Sequence, residues 1–233
     1  MGEEKNTLVV PDVEQINIDS ILPPELNIPR EIYDTYSWRC GVAYNRMFAE
    51  LVELFDEVNL THNYEILDGS RIKFNVTITD ICARDNCSED DESANAELVD
   101  LQHKFKVITG RCGAAIGAAK KFAQRTLALY FFSEAFKRYY IDLTPAVVNS
   151  ACKELFGHGV DKKVLNNKFG IPGRTAADKS KCYTDDKQKE LLGGVISDIS
   201  TEKESFDSYS LAIRISNMKQ FHEIWKKRKD IPK

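Results

Sequence analysis

Nothing in this chain stays apolar over the roughly 18 residues that a membrane-spanning helix requires, so no membrane partner is expected. No CxxC pair occurs among the six cysteines, and only Cys82 and Cys87 lie close together. Those two make a C-x4-C pair with no second half, so no zinc site is expected, and the spacings give no disulfide framework. The four histidines, His62, His103, His158 and His222, are scattered, and none stands at zinc-ligand spacing from a cysteine. GxSxG, HExxH and Walker A segments are all missing, which removes the commonest hydrolase, metalloprotease and nucleotide-binding signatures. The acidic DNCSEDDESANAE lacks the central glycine that an EF-hand turn needs, so it reads as a solvated loop. No metal, cofactor or catalytic residue is expected, and the chain is read as a non-enzyme.

The start, MGEEKNTLVVPDVEQ, is acidic where a signal peptide is basic, and it has no apolar core. Asn6 stands where a myristoylation signal wants Ser or Thr. An intracellular protein with free thiols is the expectation.

What is present is enough for a substantial core: 233 residues, 42% of them apolar and 29% charged. Residues 1–30 read as an extended N-terminal arm. Pro11, Pro23, Pro24 and Pro29 break any helix there, while Val9, Val10, Ile16, Ile18, Ile21 and Leu22 stay apolar, as in an arm that docks. Helical spacing runs from Arg30 to Leu60. Asp68–Gly69 marks a hairpin, with Ile72, Phe74, Val76 and Ile78 alternating after it. CARDNCSEDDESANAE reads as a loop, and Leu98, Leu101, Phe105 and Ile108 return to helix. TGRCGAAIGAAKK is read as a turn passing into a closely packed helix start rather than a phosphate loop. Pro145 opens a further helix that Gly157 and Gly159 end. The fold class is therefore mainly α: a single helical core domain, 31–194, with a small β-hairpin. Extended arms flank it at 1–30 and at 195–233, the latter ending in a basic helix.

The stretch KKFAQRTLALYFFSEAFKRYY, residues 120–140, carries cations at both ends of an aromatic run. At about 100° per residue Lys120 and Arg138 share an azimuth, and Lys121 and Arg125 lie about 100° and 140° around from it. Apolar residues surround the helix, so its body belongs to the core. The basic residues either snorkel to water or line a groove for a polyanion. The net charge of −4 does not forbid the groove, because base concentrates in 104–138, 162–181 and 226–229 and acid in the first 30 residues, in 89–92 and at Asp185–Asp186. Candidate phosphate ligands are Lys120, Lys121, Arg125 and Arg138. Thr61 and Ser133 are candidate hydrogen-bond donors, and Phe131, Phe132 or Tyr139 candidate stacking partners.

In order, DEVNLTHNYEILDG, ANAELVDLQHKF, QRTLALYFFSEAF and NNKFGIPGRTAADKSKCYTDDKQKELLGG resemble the core of potyvirus-type coat proteins, over roughly residues 35–194. The resemblance implies a helical, filamentous capsid subunit. Its core would hold single-stranded genomic RNA without sequence choice, and its terminal arms would join neighbouring copies. It implies location in the virion and the host cytoplasm. Thr61 matches the hydroxyl of that family's RNA pocket, whereas Val99 and Ser133 stand where the family carries an arginine and an aspartate. Two other readings are a non-viral helical protein–protein adaptor that docks through its basic C-terminal helix, and an enzyme with a dispersed site.

Overall fold

Long helices carry the structure. The computed structural model describes residues 30–58, 64–139, 145–160 and 185–229. Of the expected arm only Arg30 falls within the described residues. In chain order the elements are α1 (Arg30–Val58), β1 (Tyr64–Leu67), β2 (Arg71–Phe74), α2 (Ile78–Asp85), α3 (Glu92–Tyr139), α4 (Pro145–Phe156) and α5 (Asp185–Lys229). The chain is mainly helical with one two-stranded antiparallel hairpin, as its sequence pattern requires. No described helix is long and apolar enough to cross a membrane.

Two compact units divide these elements. Over the described residues, the hairpin unit takes 37–117 and 211–229, and the α4 unit takes 30–36, 118–160 and 185–210. Neither coincides with the expected 31–194 core, because each draws on segments far apart in sequence. The expected boundary at residue 194 falls inside α5.

In the hairpin unit, Asp68 and Gly69 both take positive φ, +52° and +65°, as the Asp–Gly turn demands. The strands pair Tyr64 with Phe74 and Leu67 with Arg71. That register sets Tyr64 against Phe55 at 5.4 Å between ring centroids, and Phe74 against Phe105 at 5.1 Å. Phe221 stacks on Phe48 at 4.5 Å, and Trp225 meets Phe55 edge-on at 5.2 Å. The final turns of α5 are thus core here, not a free arm. Fully burying one such ring stabilises by roughly 1.5–3 kcal/mol.

Helix α2 occupies part of what reads as strand and loop. Thr77 and Asp80 form a capping box, Asp80 N–H donating to Thr77 Oγ1 at 3.3 Å and Thr77 N–H to Asp80 Oδ2 at 2.8 Å. Arg84 then donates to the Val58 carbonyl at 3.1 Å, satisfying an end of α1, and grips Glu97 of α3 at 2.8 and 2.9 Å.

The glycine-rich stretches do not break helices. Gly110, Gly113 and Gly117 lie inside α3, and Gly193 and Gly194 inside α5. A Cβ at any of them would meet nothing within 4 Å, so they mark neither a turn nor a close approach. Two helical glycines cost about 2 kcal/mol relative to alanine. Burial of Val195, Ile199 and Phe206 on the same helix outweighs that at roughly 1.5–3 kcal/mol each. With no helix N-terminus near Gly110, no free backbone N–H groups are there to cradle a phosphate.

The α4 unit buries Ala128, Leu129, Phe132, Val148, Cys152 and Ile199 together. Tyr33 and Tyr36 of α1 pack edge-on against Phe206 at 5.4 and 5.0 Å. Tyr36 Oη and Ser210 Oγ lie 2.5 Å apart, and the Tyr33 hydroxyl donates to Glu202 Oε1. Glu202 is buried, and among the described residues nothing pairs with its Oε2. Burial raises its carboxyl pKa, partly offset by the Tyr33 hydrogen bond. An acid raised in the folded state keeps its proton after the unfolded chain has lost it, so stability falls as pH rises above the ordinary glutamate range. Urea titrations between pH 4 and 8 should show wild type losing stability relative to Glu202→Gln with a slope approaching about 1.4 kcal/mol per pH unit. Parallel pH profiles would contradict the buried, proton-holding Glu202.

Candidate nucleic-acid interface

The α4 unit brings three of the expected cations onto neighbouring positions of α3. Their surroundings are built from α4 outward. Gly157, at φ +72°, closes α4 by donating its N–H to the Lys153 carbonyl at 2.9 Å. Asn149 Oδ1 then accepts the Val160 N–H at 2.8 Å, tying the next residues back onto the helix. Gly159 has to be glycine for this: a Cβ there would come within 2.2 Å of that same oxygen. The turn so fixed sets the His158 ring on Phe156, centroids 5.9 Å apart.

His158 faces α3. Arg125 Nε donates to His158 Nδ1 at 3.3 Å, so the imidazole proton sits on Nε2, which points to Gln124 Oε1 at 3.4 Å. Gln124 Nε2 in turn donates to Asp207 Oδ1 at 3.5 Å. Asp207 also receives Lys120 Nζ at 2.8 Å and Lys203 Nζ at 3.3 Å. Burial opposes its charge, but Lys120 and Lys203 hold its carboxyl below the usual range. Burial, then the charges of Arg125 and Lys121, hold the His158 imidazole below its ordinary value. Cys152 lies within the field of Arg125, and burial pushes its thiol up to about 11, so it offers no counter-charge.

These contacts sort the expected residues. Lys120 is committed to Asp207. Lys121 is exposed, Arg125 is half-buried, and among the described residues neither has a carboxylate partner. They stand one helical turn apart on the same face. Ser133 lies about 12 Å further along α3 and about 80° around from Arg125, so it does not join them. Thr61 and the side chains of Arg138 and Tyr139 lie outside the described residues. Phe132 is wholly buried and cannot stack on a base. The aromatic that is presented beside these cations is Phe122, 39% exposed and one residue from Lys121.

Gln124, His158 and Asp207 are the residues that sequence reading misses. Gln124 carries a signal, as a polar residue within an otherwise apolar arc of α3. His158 carries another, between two glycines just past a helix end.

The hairpin unit offers a contrasting surface. A cleft of about 340 Å³ is lined by Glu50, Glu53 and Glu57 on one side and Lys104 and Arg111 on the other. Lys104 pairs with Glu57 at 3.5 Å and Arg111 with Glu50 at 2.8 Å, so the cations there are already neutralised. A polyanion gains little from it.

A nitrogen-detected NMR titration of the histidines should find His158 as the Nε2–H tautomer with a midpoint below 6.5. The midpoint should rise when Lys121 and Arg125 are both changed to Gln. A midpoint unmoved by those changes would contradict the electrostatics described. No protein-family model matches this chain, and no curated protein or solved structure matches it either.

Proposed function

We propose that this chain is a non-enzymatic RNA-packaging protein, the coat subunit of a filamentous RNA virus. Copies of it polymerise helically around single-stranded RNA and bind it without sequence choice. The observation that carries this reading is the Lys121–Arg125 pair. Two cations share one helix face with no carboxylate partner among the described residues, while Lys120 beside them is neutralised by Asp207. The hydrogen bond to His158 holds Arg125 at Nε, and on this reading its remaining guanidinium N–H groups bind a phosphate. Affinity comes mainly from phosphate neutralisation and falls with salt.

Assembly on this reading is head-to-tail and open, through a heterologous contact that does not close into a ring. The apolar residues of the 1–30 segment supply the adhesive surface. The adaptor alternative has less support. The apolar residues of its docking helix, Phe221 and Trp225, are already buried in the hairpin unit, leaving Lys226 and Lys227 exposed.

The test is purification of the full chain, its 260/280 nm absorbance ratio, nuclease protection and negative-stain microscopy. Wild type should carry protected RNA in rods. Lys121→Glu combined with Arg125→Glu should lose RNA uptake at least tenfold while keeping its helical circular dichroism. A nucleic-acid-free wild type, or undiminished uptake by the double variant, would overturn the reading.

A further inference from the structure

Helix α2 ends in a turn whose chemistry the RNA reading does not use. Asn86 takes the left-handed conformation, φ 56° and ψ 45°, and the Cys87 N–H returns to the Cys82 carbonyl at 3.1 Å. Such a closure folds the second residue past the helix back over the last turn. Two apolar side chains usually meet there. In this chain both positions are cysteine. Cys82 is buried and its thiol donates to the Ser88 carbonyl at 3.1 Å. Cys87 is half-exposed, and both are free thiols. Disulfides need Cα atoms about 4.4–6.8 Å apart, and the Cys87 N–H to Cys82 carbonyl bond draws these two residues' backbones together at the end of α2.

We propose that Cys82 and Cys87 form a redox modification site, a dithiol that closes to an intrachain disulfide within the α2–α3 turn. The oxidant is a small disulfide of the glutathione class. Cys87 attacks one sulfur of it and expels a thiolate, giving a mixed disulfide. The Cys82 thiol then attacks the Cys87 sulfur, gives up its proton and expels the second thiolate. Two protein thiols and one small disulfide become one protein disulfide and two small thiols, so electrons and protons balance. Cys87 goes first because it is accessible. Burial, Cys87 and the carboxylates of Glu89 and Asp91 push the Cys82 thiol up to about 11, which makes it a poor first nucleophile. The turn also positions Asp91, whose Oδ1 caps α3 by accepting the Ser93 N–H at 2.8 Å. Closing the disulfide therefore stiffens the entry to α3, and this inference stands apart from any RNA contact.

The test uses the full chain with Cys182→Ser, so that every remaining thiol has a described position. It is incubated with oxidised glutathione, quenched with a maleimide, digested with trypsin and read by mass spectrometry. Cleavage after Lys73, Arg84 and Lys104 leaves the two thiols on peptides 74–84 and 85–104. A disulfide joining those two peptides should be the dominant product, reversible by dithiothreitol and formed without loss of helical signal. A stable glutathione adduct on Cys87, no reaction there, or a bond that forms only in denaturant would each overturn the proposal.

Discussion

The carboxylate of Asp207 decides how the polar groups of α3 beside α4 are paired. It accepts Lys120 and Lys203 as ion pairs and Gln124 as a hydrogen bond. Gln124 faces the His158 Nε2–H, which fixes the tautomer whose Nδ1 receives Arg125. One charge thus neutralises the first lysine of a Lys–Lys pair and, through two neutral side chains, orients the guanidinium a turn further on. The three hydrogen bonds of Gln124, His158 and Arg125 are long, at 3.3–3.5 Å, and modest alone, with a neutral hydrogen bond contributing about 1 kcal/mol. Their value is directional, because among the described residues they leave Lys121 and Arg125 without a carboxylate partner.

The same economy appears where each unit is held together. In the hairpin unit Arg84 satisfies the end of α1 while gripping Glu97 of α3, and the aromatic stack of Phe55, Tyr64 and Trp225 supplies the burial. In the α4 unit Tyr33, Tyr36, Phe206 and Tyr209 form a ring cluster, and Tyr33 donates to a buried carboxyl that keeps its proton more readily than a solvated one. Positive charge facing outward beside Lys121 is compatible with that core, because burial of apolar rings, not ion pairing, stabilises it.

Much of the architecture was legible in local chemistry. Asp68–Gly69 marked the hairpin because two left-handed residues in a row suit that dipeptide. Pro145 and Gly157 bracketed α4 because one presets φ and the other tolerates its reversal. Helix α2 was signalled by Thr77 and Asp80 at capping-box spacing, yet the alternation of Ile72, Phe74, Val76 and Ile78 imitates a strand. The glycines at 110–117 and 193–194 imitate turns, and only distant burial along α3 and α5 overrides their cost. The site was legible in part. Lys120 and Lys121 are indistinguishable in sequence, since what separates them is Asp207 on another helix. Phe132 has a suitable ring for stacking, but Val148 and Ile199, contributed by other helices, enclose it with the core.

The most direct measurement of this account is the salt dependence of single-stranded RNA binding by Asp207→Asn, compared with wild type. Asparagine keeps the oxygen that Gln124 and Lys120 reach but removes the charge that neutralises Lys120 and Lys203. The account predicts tighter binding and a log–log salt slope steeper by about 0.7 for each cation released. An unchanged slope, or weaker binding with the fold intact, would contradict the claim that Asp207 sorts the cations of this surface.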